Sequence, residues 1–177
     1  MGVLKTDAIC FQNILSEIKT QTMYRLIQDE DLMKLLHYPT ADALSLPMNQ
    51  QIIKQIILQK ETNESRRIFL KPYINKVTAL KTAEIRIHFS EIEIDDALRK
   101  VTPILEVDVY CHNDITDLDD GISQRFDLMM EKVCDAINGY HVGTNGYAKL
   151  ADIQDWSMND TEYVGYTIFF EIGEINL

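Results

Sequence analysis

Residues that break or cross-link a chain are scarce in this sequence, which has 7 glycines, 4 prolines and 3 cysteines among 177 residues. The low glycine and proline content argues against wholesale disorder and favours regular secondary structure. The cysteines, at positions 10, 111 and 134, are odd in number and far apart, so they do not indicate a disulfide framework. We therefore expect packed thiols in a protein that folds in a reducing cytoplasm.

Long apolar runs are also missing. No stretch approaches the roughly 18 apolar residues that a transmembrane helix needs, and the charges of Lys5 and Asp7 precede any long apolar segment. The sequence therefore predicts neither a membrane span nor a signal peptide. Its composition, 46% apolar and 25% charged, is that of an ordinary globular protein. The length suits one domain, or a compact domain with a helical extension.

Positive charge is scarce after residue 83. Residues 1–83 hold 11 basic and 8 acidic residues, residues 84–177 hold 6 and 20, and the whole chain carries a net charge of −11. Such a protein as a whole repels nucleic acid. Basic side chains concentrate in one run, which comprises Lys60, Arg66, Arg67, Lys71, Lys76 and Lys81. A solvated surface and electrostatic docking to an acidic partner or another copy explain this run equally well. Contact with nucleic-acid phosphates explains it less well.

The sequence motifs of common cofactor and metal sites are absent. The glycines between residues 139 and 146 lack the Walker spacing and its lysine, and the dinucleotide-binding pattern is missing. An EF-hand alignment on Gly121 places Leu118, which cannot coordinate calcium, at a ligand position. The Asp-rich run from His112 to Gly121 therefore predicts a solvated turn that caps the next helix. We expect no catalytic residues, no cofactor and no metal.

The four histidines, at positions 37, 88, 112 and 141, show no metal-binding spacing. His88 and His112 fall at polar positions of two neighbouring predicted strands, where they could face each other. A site that joins a histidine to Cys111 or Cys134 is disfavoured, because both cysteines fall on apolar faces where a thiol is usually inert.

Apolar residues recur at three- and four-residue spacing through the first part of the chain, which predicts helices. The predicted helices run from Phe11 to Ile27, from Asp29 or Glu30 to Leu36, and from a cap at Asn49 through Ile57. We assign residues 1–62 to this helical N-terminal region.

Residues 63–177 form the predicted sheet domain, because the apolar period changes there from 3.6 to 2. The candidate strands are Arg67 to Ile74, Glu84 to Ile94, Leu105 to His112, Tyr147 to Trp156 and Val164 to Ile172. A slip of the apolar phase after Phe89 predicts a bulge. Gly165 indicates a bulge or a close approach of two backbones.

One amphipathic helix interrupts the strands. Its predicted span is Ile122 to Asn138, with Asp119 or Asp120 as the cap and Gly139 in the left-handed position after its end. Consecutive strands with short connections are usually antiparallel neighbours. The sequence therefore predicts an α+β fold in one compact unit: a mostly antiparallel sheet of four to five strands, a long helix on one face and a helical N-terminal region.

Four segments carry a resemblance to a known family: "LMKLLHYP", "PILEVDVYCHND", "RFDLMMEKVCDAING" and "LADIQDWSMNDTEYVGYTIFFEIGEI". In order and texture, the chain from about Leu32 to the C-terminus resembles the tail terminator or neck proteins of long-tailed bacteriophages. The resemblance implies a small α+β fold and a ring, commonly of six subunits, on the head-proximal end of the tail tube. There such proteins stop tube polymerisation and provide the surface to which the head connector docks.

The resemblance implies a structural protein rather than an enzyme, assembled in the host cytoplasm and located at the head-tail junction of the virion. Its implied partners are further copies of itself, the tail tube protein and the head connector or completion protein, with no membrane. The long N-terminal extension leaves a neck or head-completion adaptor of the same virion as an alternative. Two alternatives come from other classes: a small adaptor for one host protein, and a cytoplasmic metal-dependent hydrolase that uses scattered acids and His112.

A ring joins two different surfaces of one subunit, and the uneven charge of this chain offers unlike surfaces. An acidic lumen would let DNA pass without specific binding. The contact regions that we expect are residues 75–82, 114–121 and 141–146. The candidate interface residues are Arg66, Arg67, Lys76, Lys81, Asp114, Asp117 and Asp119.

Overall fold

A computed structural model of the protein describes residues 3–58, 64–72, 81–95, 100–142, 146–155, 162–173 and 175–176. In these ranges the helices are α1 (Val3–Leu26), α2 (Glu30–His37), α3 (Gln50–Ile57) and α4 (Arg125–Ile137). The strands are β1 (Ile68–Phe69), β2 (Ala83–Asp95), β3 (Lys100–His112), β4 (Ala148–Asp155), β5 (Tyr163–Ile172) and β6 (Ile175–Asn176). Within the same ranges, no helix combines the length and apolarity that crossing a membrane requires.

Side-chain caps fix where the short N-terminal helices begin. Asp29 accepts a hydrogen bond from the Leu32 N–H at 2.9 Å, and Asn49 accepts two at the start of α3. Each cap satisfies amides that have no partner inside the helix. The predicted helical N-terminal region and the Asn49 cap are confirmed, whereas the predicted boundary between residues 62 and 63 lies outside the described residues.

The strands form one sheet in the order β1-β2-β3-β5-β4, and β6 pairs with β3. Among the strand pairs of the described residues, β1 and β2 are parallel and the others are antiparallel, which confirms the predicted α+β fold with a mostly antiparallel sheet. Of the predicted first strand, Arg67 to Ile74, only Ile68–Phe69 is strand among the described residues, which end at Pro72. Pro72 lacks the N–H that a longer ladder would use, and β1 lies at the edge of the sheet.

Two irregularities of the sheet follow from the sequence. The register of β2 against β3 shifts between Phe89 and Glu91, which confirms the predicted bulge. Gly165 lies opposite Tyr110, and a Cβ at Gly165 would overlap the Val109 carbonyl oxygen. The predicted close approach of two backbones at Gly165 is therefore confirmed.

Helix α4 begins later than predicted, at Arg125 instead of Ile122. Asp120 accepts hydrogen bonds from the N–H groups of Ile122 and Ser123, at 3.0 and 2.8 Å, so it closes a turn before the helix and does not cap it. Ile122 is 88% exposed and does not belong to the apolar stripe. Gly139 has the left-handed φ of +79° that its position after the helix predicted.

The core lies between the helices and one face of the sheet. Ile85, Ile87, Val107 and Val109 on β2 and β3 are fully buried, and they belong to the same core as Met129, Val133 and Ile137 of α4. The opposite face of the same strands carries polar residues, because successive side chains alternate. This arrangement confirms the long helix on one face.

Two of the three thiols can be located. Cys111 is buried, and burial raises its pKa to about 12, so it is an inert packed thiol. Cys134 is partly buried on α4, where burial also raises its pKa. The side chain of Cys10 lies outside the described residues.

Candidate functional site

The predicted Asp-rich turn forms an exposed loop between β3 and α4, which we call the acidic loop (residues 113–124). Asp114, Asp117, Asp119 and Asp120 are exposed along it, while Ile115 and Leu118 are buried beneath. Asp117 accepts hydrogen bonds from Thr116 and Gln124, and the Asp119 N–H donates to the Ala41 carbonyl at 3.0 Å. The loop is therefore an ordered acidic surface with an apolar underside.

Lys81 and Asp114, both predicted interface residues, meet within the chain. The Lys81 ammonium lies 2.6 Å from the Asp114 carboxylate. This contact raises the pKa of Lys81 and lowers the pKa of Asp114. The last residue of the basic run thus neutralises one acid of the acidic loop in the same subunit.

Arg66 and Arg67 pack beside α3 and β1. The Arg66 guanidinium lies 4.3 Å from the Phe69 ring centroid, and Arg67 donates to the Glu64 carbonyl at 2.6 Å. The Arg67 carbonyl accepts a hydrogen bond from the Ile85 N–H at 2.8 Å, and the Arg67 N–H donates one to the Ile56 carbonyl. The Arg67 backbone therefore links α3 to β2. Both arginines are partly buried and have contacts within the chain. Lys60 and Lys76 lie outside the described residues, as do residues 75–80 and 143–145 of the predicted contact loops.

Arg125, which the sequence did not single out, anchors the acidic loop from below. Its guanidinium is fully buried and donates to the carbonyls of Ile115, Leu35 and Thr40 at 2.7, 2.6 and 2.7 Å. Burial lowers the pKa of Arg125. Three separate segments, the acidic loop, α2 and the turn after α2, are therefore joined by one side chain.

An ion pair lies on the polar face of the sheet. Arg86 lies 2.8 Å from Glu84, and Tyr110 donates to the same Glu84 oxygen at 2.7 Å. Arg86 also donates to the Tyr110 hydroxyl and stacks on the Phe69 ring at 4.2 Å. Burial raises the pKa of Tyr110, so the phenol stays neutral and the pair is held by satisfied hydrogen bonds.

Further along this face, His88 meets two carboxylates of β3. Its Nε2 lies 3.1 Å from Asp108 Oδ2 and 3.4 Å from Glu106 Oε1. The Thr167 hydroxyl of β5 donates to the other Asp108 oxygen at 2.8 Å. We call His88, Glu106 and Asp108 the His88 cluster. The sequence alone did not indicate this cluster, because a separation of 18 to 20 residues forms no motif. The strand register, with His88 opposite Glu106, brings the side chains together.

The suggestion that His88 and His112 face each other is wrong. The register pairs Ala83 with Cys111, so His112 lies at one end of the β2–β3 pair and His88 further along. His112 Nε2 lies 3.1 Å from Glu162, and its Nδ1 accepts the Asp114 N–H at 3.1 Å. The described residues therefore give His112 a local structural role at the start of the acidic loop.

Comparison with known proteins gives one family. The model of the family described as YomW matches residues 29–172, which begin at the cap of α2 and end with β5. YomW is a protein name of the phage-type SPBc2 prophage. No curated protein matches the chain with significant similarity. The match includes the acidic loop, the His88 cluster and every element from α2 to β5.

Proposed function

The chain belongs to the YomW family, a phage-associated family, and from this premise we propose that it is a structural protein of the phage head-to-tail junction. In this proposal it forms a homo-oligomeric ring, commonly a hexamer in the tail terminators that it resembles. The ring caps the tail tube and joins it to the head connector. DNA passes through its lumen, and the protein acts by shape and charge without catalysing a reaction.

The observation that carries the proposal is the agreement of two ranges. The family match covers residues 29–172, and the resemblance to tail terminators covers the chain from about Leu32 onward. Both therefore concern the same unit of helices α2 to α4 and the sheet. The phage association comes from the match, and the place at the head-tail junction comes from the resemblance.

Two exposed surfaces support assembly into a ring, which requires unlike contacts on one subunit. The first is the acidic loop, anchored by Arg125. The second is β4, the last strand in the sheet order, whose residues 151–155 are all exposed. An edge strand presents backbone donors and acceptors to a neighbour. The acidic loop and the β4 edge would thus supply two unlike contact surfaces on one subunit.

Charge supports the passage of DNA through such a ring. The whole chain carries a net charge of −11, and most of its acids follow residue 83. Phosphates gain no attraction from carboxylates, so an acidic wall would not retain DNA.

Assembly of the full-length protein tests the proposal. We expect mass photometry to show particles at several times the subunit mass of 20.5 kDa, and negative-stain microscopy to show rings. Added to polymerising tail tubes, the protein should bind one end and stop elongation. A strict monomer that neither binds tubes nor alters their length would overturn the proposal.

The same experiment distinguishes the neck or head-completion adaptor. An adaptor of that kind would bind the head connector and leave tube elongation unchanged, whereas a terminator stops elongation without the connector. The two roles share the phage association and differ in this one measurement.

A further inference from the structure

The His88 cluster brings three metal-ligating side chains together on two paired strands. One ligand atom from each of His88, Glu106 and Asp108 lies within 4.8 Å of the other two. We propose that these three side chains bind a divalent transition-metal ion, with Zn²⁺ as the reference ion, on the polar face of the sheet.

The distances in the cluster fit a small coordination sphere. Zinc bonds of about 2.0–2.2 Å in a tetrahedral site place neighbouring ligand atoms about 3.3–3.6 Å apart. His88 Nε2 lies 3.1 Å from Asp108 Oδ2 and 3.4 Å from Glu106 Oε1. Both histidine–carboxylate distances are thus close to those of a tetrahedral site, and the two carboxylate oxygens lie within 4.8 Å of each other.

Neighbouring groups orient the ligands, as they do in metal sites. Thr167 donates to Asp108 Oδ1, which leaves Oδ2 directed towards His88. All three ligands stand on long paired strands, so the strand register and not a loop sets their spacing.

Charge in the cluster favours a divalent cation. The side chains of His88, Glu106 and Asp108 are only 12%, 17% and 5% exposed, so water screens the two carboxylates poorly. When the imidazole is neutral, the cluster carries two negative charges. A divalent ion balances both charges, whereas a proton on His88 balances one of them.

The donor set selects the class of ion. Imidazole with carboxylates suits zinc, manganese, iron and nickel, whereas calcium prefers six to eight oxygens. Three protein ligands leave a coordination position that water can fill.

Zinc titration of the untagged, chelator-treated full-length protein tests the site. We expect isothermal titration calorimetry to give one strong Zn²⁺ site per chain and Ca²⁺ to bind far more weakly. His88→Asn and Glu106→Gln should each weaken zinc binding at least about 10-fold. The matched control is His141→Gln, which changes an exposed histidine and should leave the affinity unchanged.

A second variant keeps the test valid if a ligand substitution impairs folding. Thr167→Val retains all three ligands but removes the hydrogen bond that orients Asp108, so zinc affinity should fall about 10-fold. Circular dichroism establishes that each variant is folded. Absence of a zinc site in the folded wild type, equal affinity in folded His88→Asn, or a preference for calcium would overturn the proposal. Ring assembly is measured separately, so the two proposals stand or fall independently.

Discussion

Lys81 Nζ lies 2.6 Å from Asp114 Oδ2, which ties the segment before β2 to the start of the acidic loop. Both side chains are more than half exposed, at 60% and 54%. Exposed ion pairs contribute little to stability, so the pair matters for position and for local charge. Within the acidic loop it leaves Asp117 and Asp119 as the exposed acids best placed to attract a basic surface of another subunit.

Neutralising these two acids should weaken assembly without unfolding the subunit. In the double variant Asp117→Asn/Asp119→Asn, the amide oxygen at position 117 can still accept the hydrogen bonds from Thr116 and Gln124. We expect mass photometry at low salt to show a several-fold lower fraction of rings, because complementary charge favours association. Glu131→Gln/Asp135→Asn, which removes two exposed acids of α4, is the matched control. If the two double variants reduced the fraction of rings equally, the acidic loop would not be part of the interface.

Gly165→Ala should destabilise the fold severely. The added methyl group would overlap the Val109 carbonyl oxygen and lie 2.6 Å from the Tyr110 Cα, and both obstacles are backbone of the central strand β3. We expect a loss of about 3 kcal/mol or more in the free energy of unfolding, the upper range for overpacking. Urea denaturation measures the loss.

Gly121→Ala is the control for this substitution. Nothing lies within 4 Å of a Cβ at Gly121, so only its φ of +68° opposes a side chain. That conformation costs about 1–2 kcal/mol in a residue with a Cβ. If Gly165→Ala were no more destabilising than Gly121→Ala, the close approach of β3 and β5 would not limit the fold.

Replacing Arg125 should separate the three segments that it joins. Arg125→Met keeps a similar volume and leaves three carbonyls that lose a charged donor. We expect a loss of about 3 kcal/mol or more in the free energy of unfolding, since hydrogen bonds to charged groups contribute about 1.5–3 kcal/mol each. Arg125→Lys should recover only part of this loss, because the lysine ammonium cannot reproduce the planar arrangement of donors in the arginine guanidinium. If Arg125→Met were as stable as the wild type in urea denaturation, Arg125 would not anchor the three segments.

The sequence predicted the elements well because periodicity and capping are local. The Asn49 cap, the bulge after Phe89 and the left-handed Gly139 each depend on a few neighbouring residues. The burial of Arg125 could not be predicted, because a charged residue on an amphipathic helix is expected to face solvent. The acidic loop, α2 and the turn after α2 together surround its guanidinium and bury it.

Contacts between strands were less predictable than the strands themselves. Alternation placed His88 at a polar position of its strand, yet it could not fix which residue of β3 faces His88. A change of register by one residue would have turned these side chains to opposite faces. The His88 cluster is therefore a product of register, which the bulge after Phe89 helps to set.

The His88 cluster should make the protein less stable as the pH rises from 6 to 8 in the presence of a chelator. Burial opposes the charged imidazole, but Asp108, Glu106 and the Phe89 backbone together raise the pKa of His88 above its usual value. A raised pKa means that the stabilisation is complete below the unfolded pKa of about 6.5 and is lost as the pH rises through the folded pKa. The pKa of Glu106, raised by burial, acts with the same sign.

Urea denaturation of the wild type and of His88→Asn at pH 6 and pH 8 measures this effect. The wild type should lose more stability over that interval than His88→Asn, whereas His141→Gln should follow the wild type. Zinc should reverse the trend, because the metal and the proton compete for Nε2 and the metal gains affinity as the proton leaves. Parallel pH curves for the wild type and His88→Asn would show that the carboxylates of β3 do not hold the proton on His88.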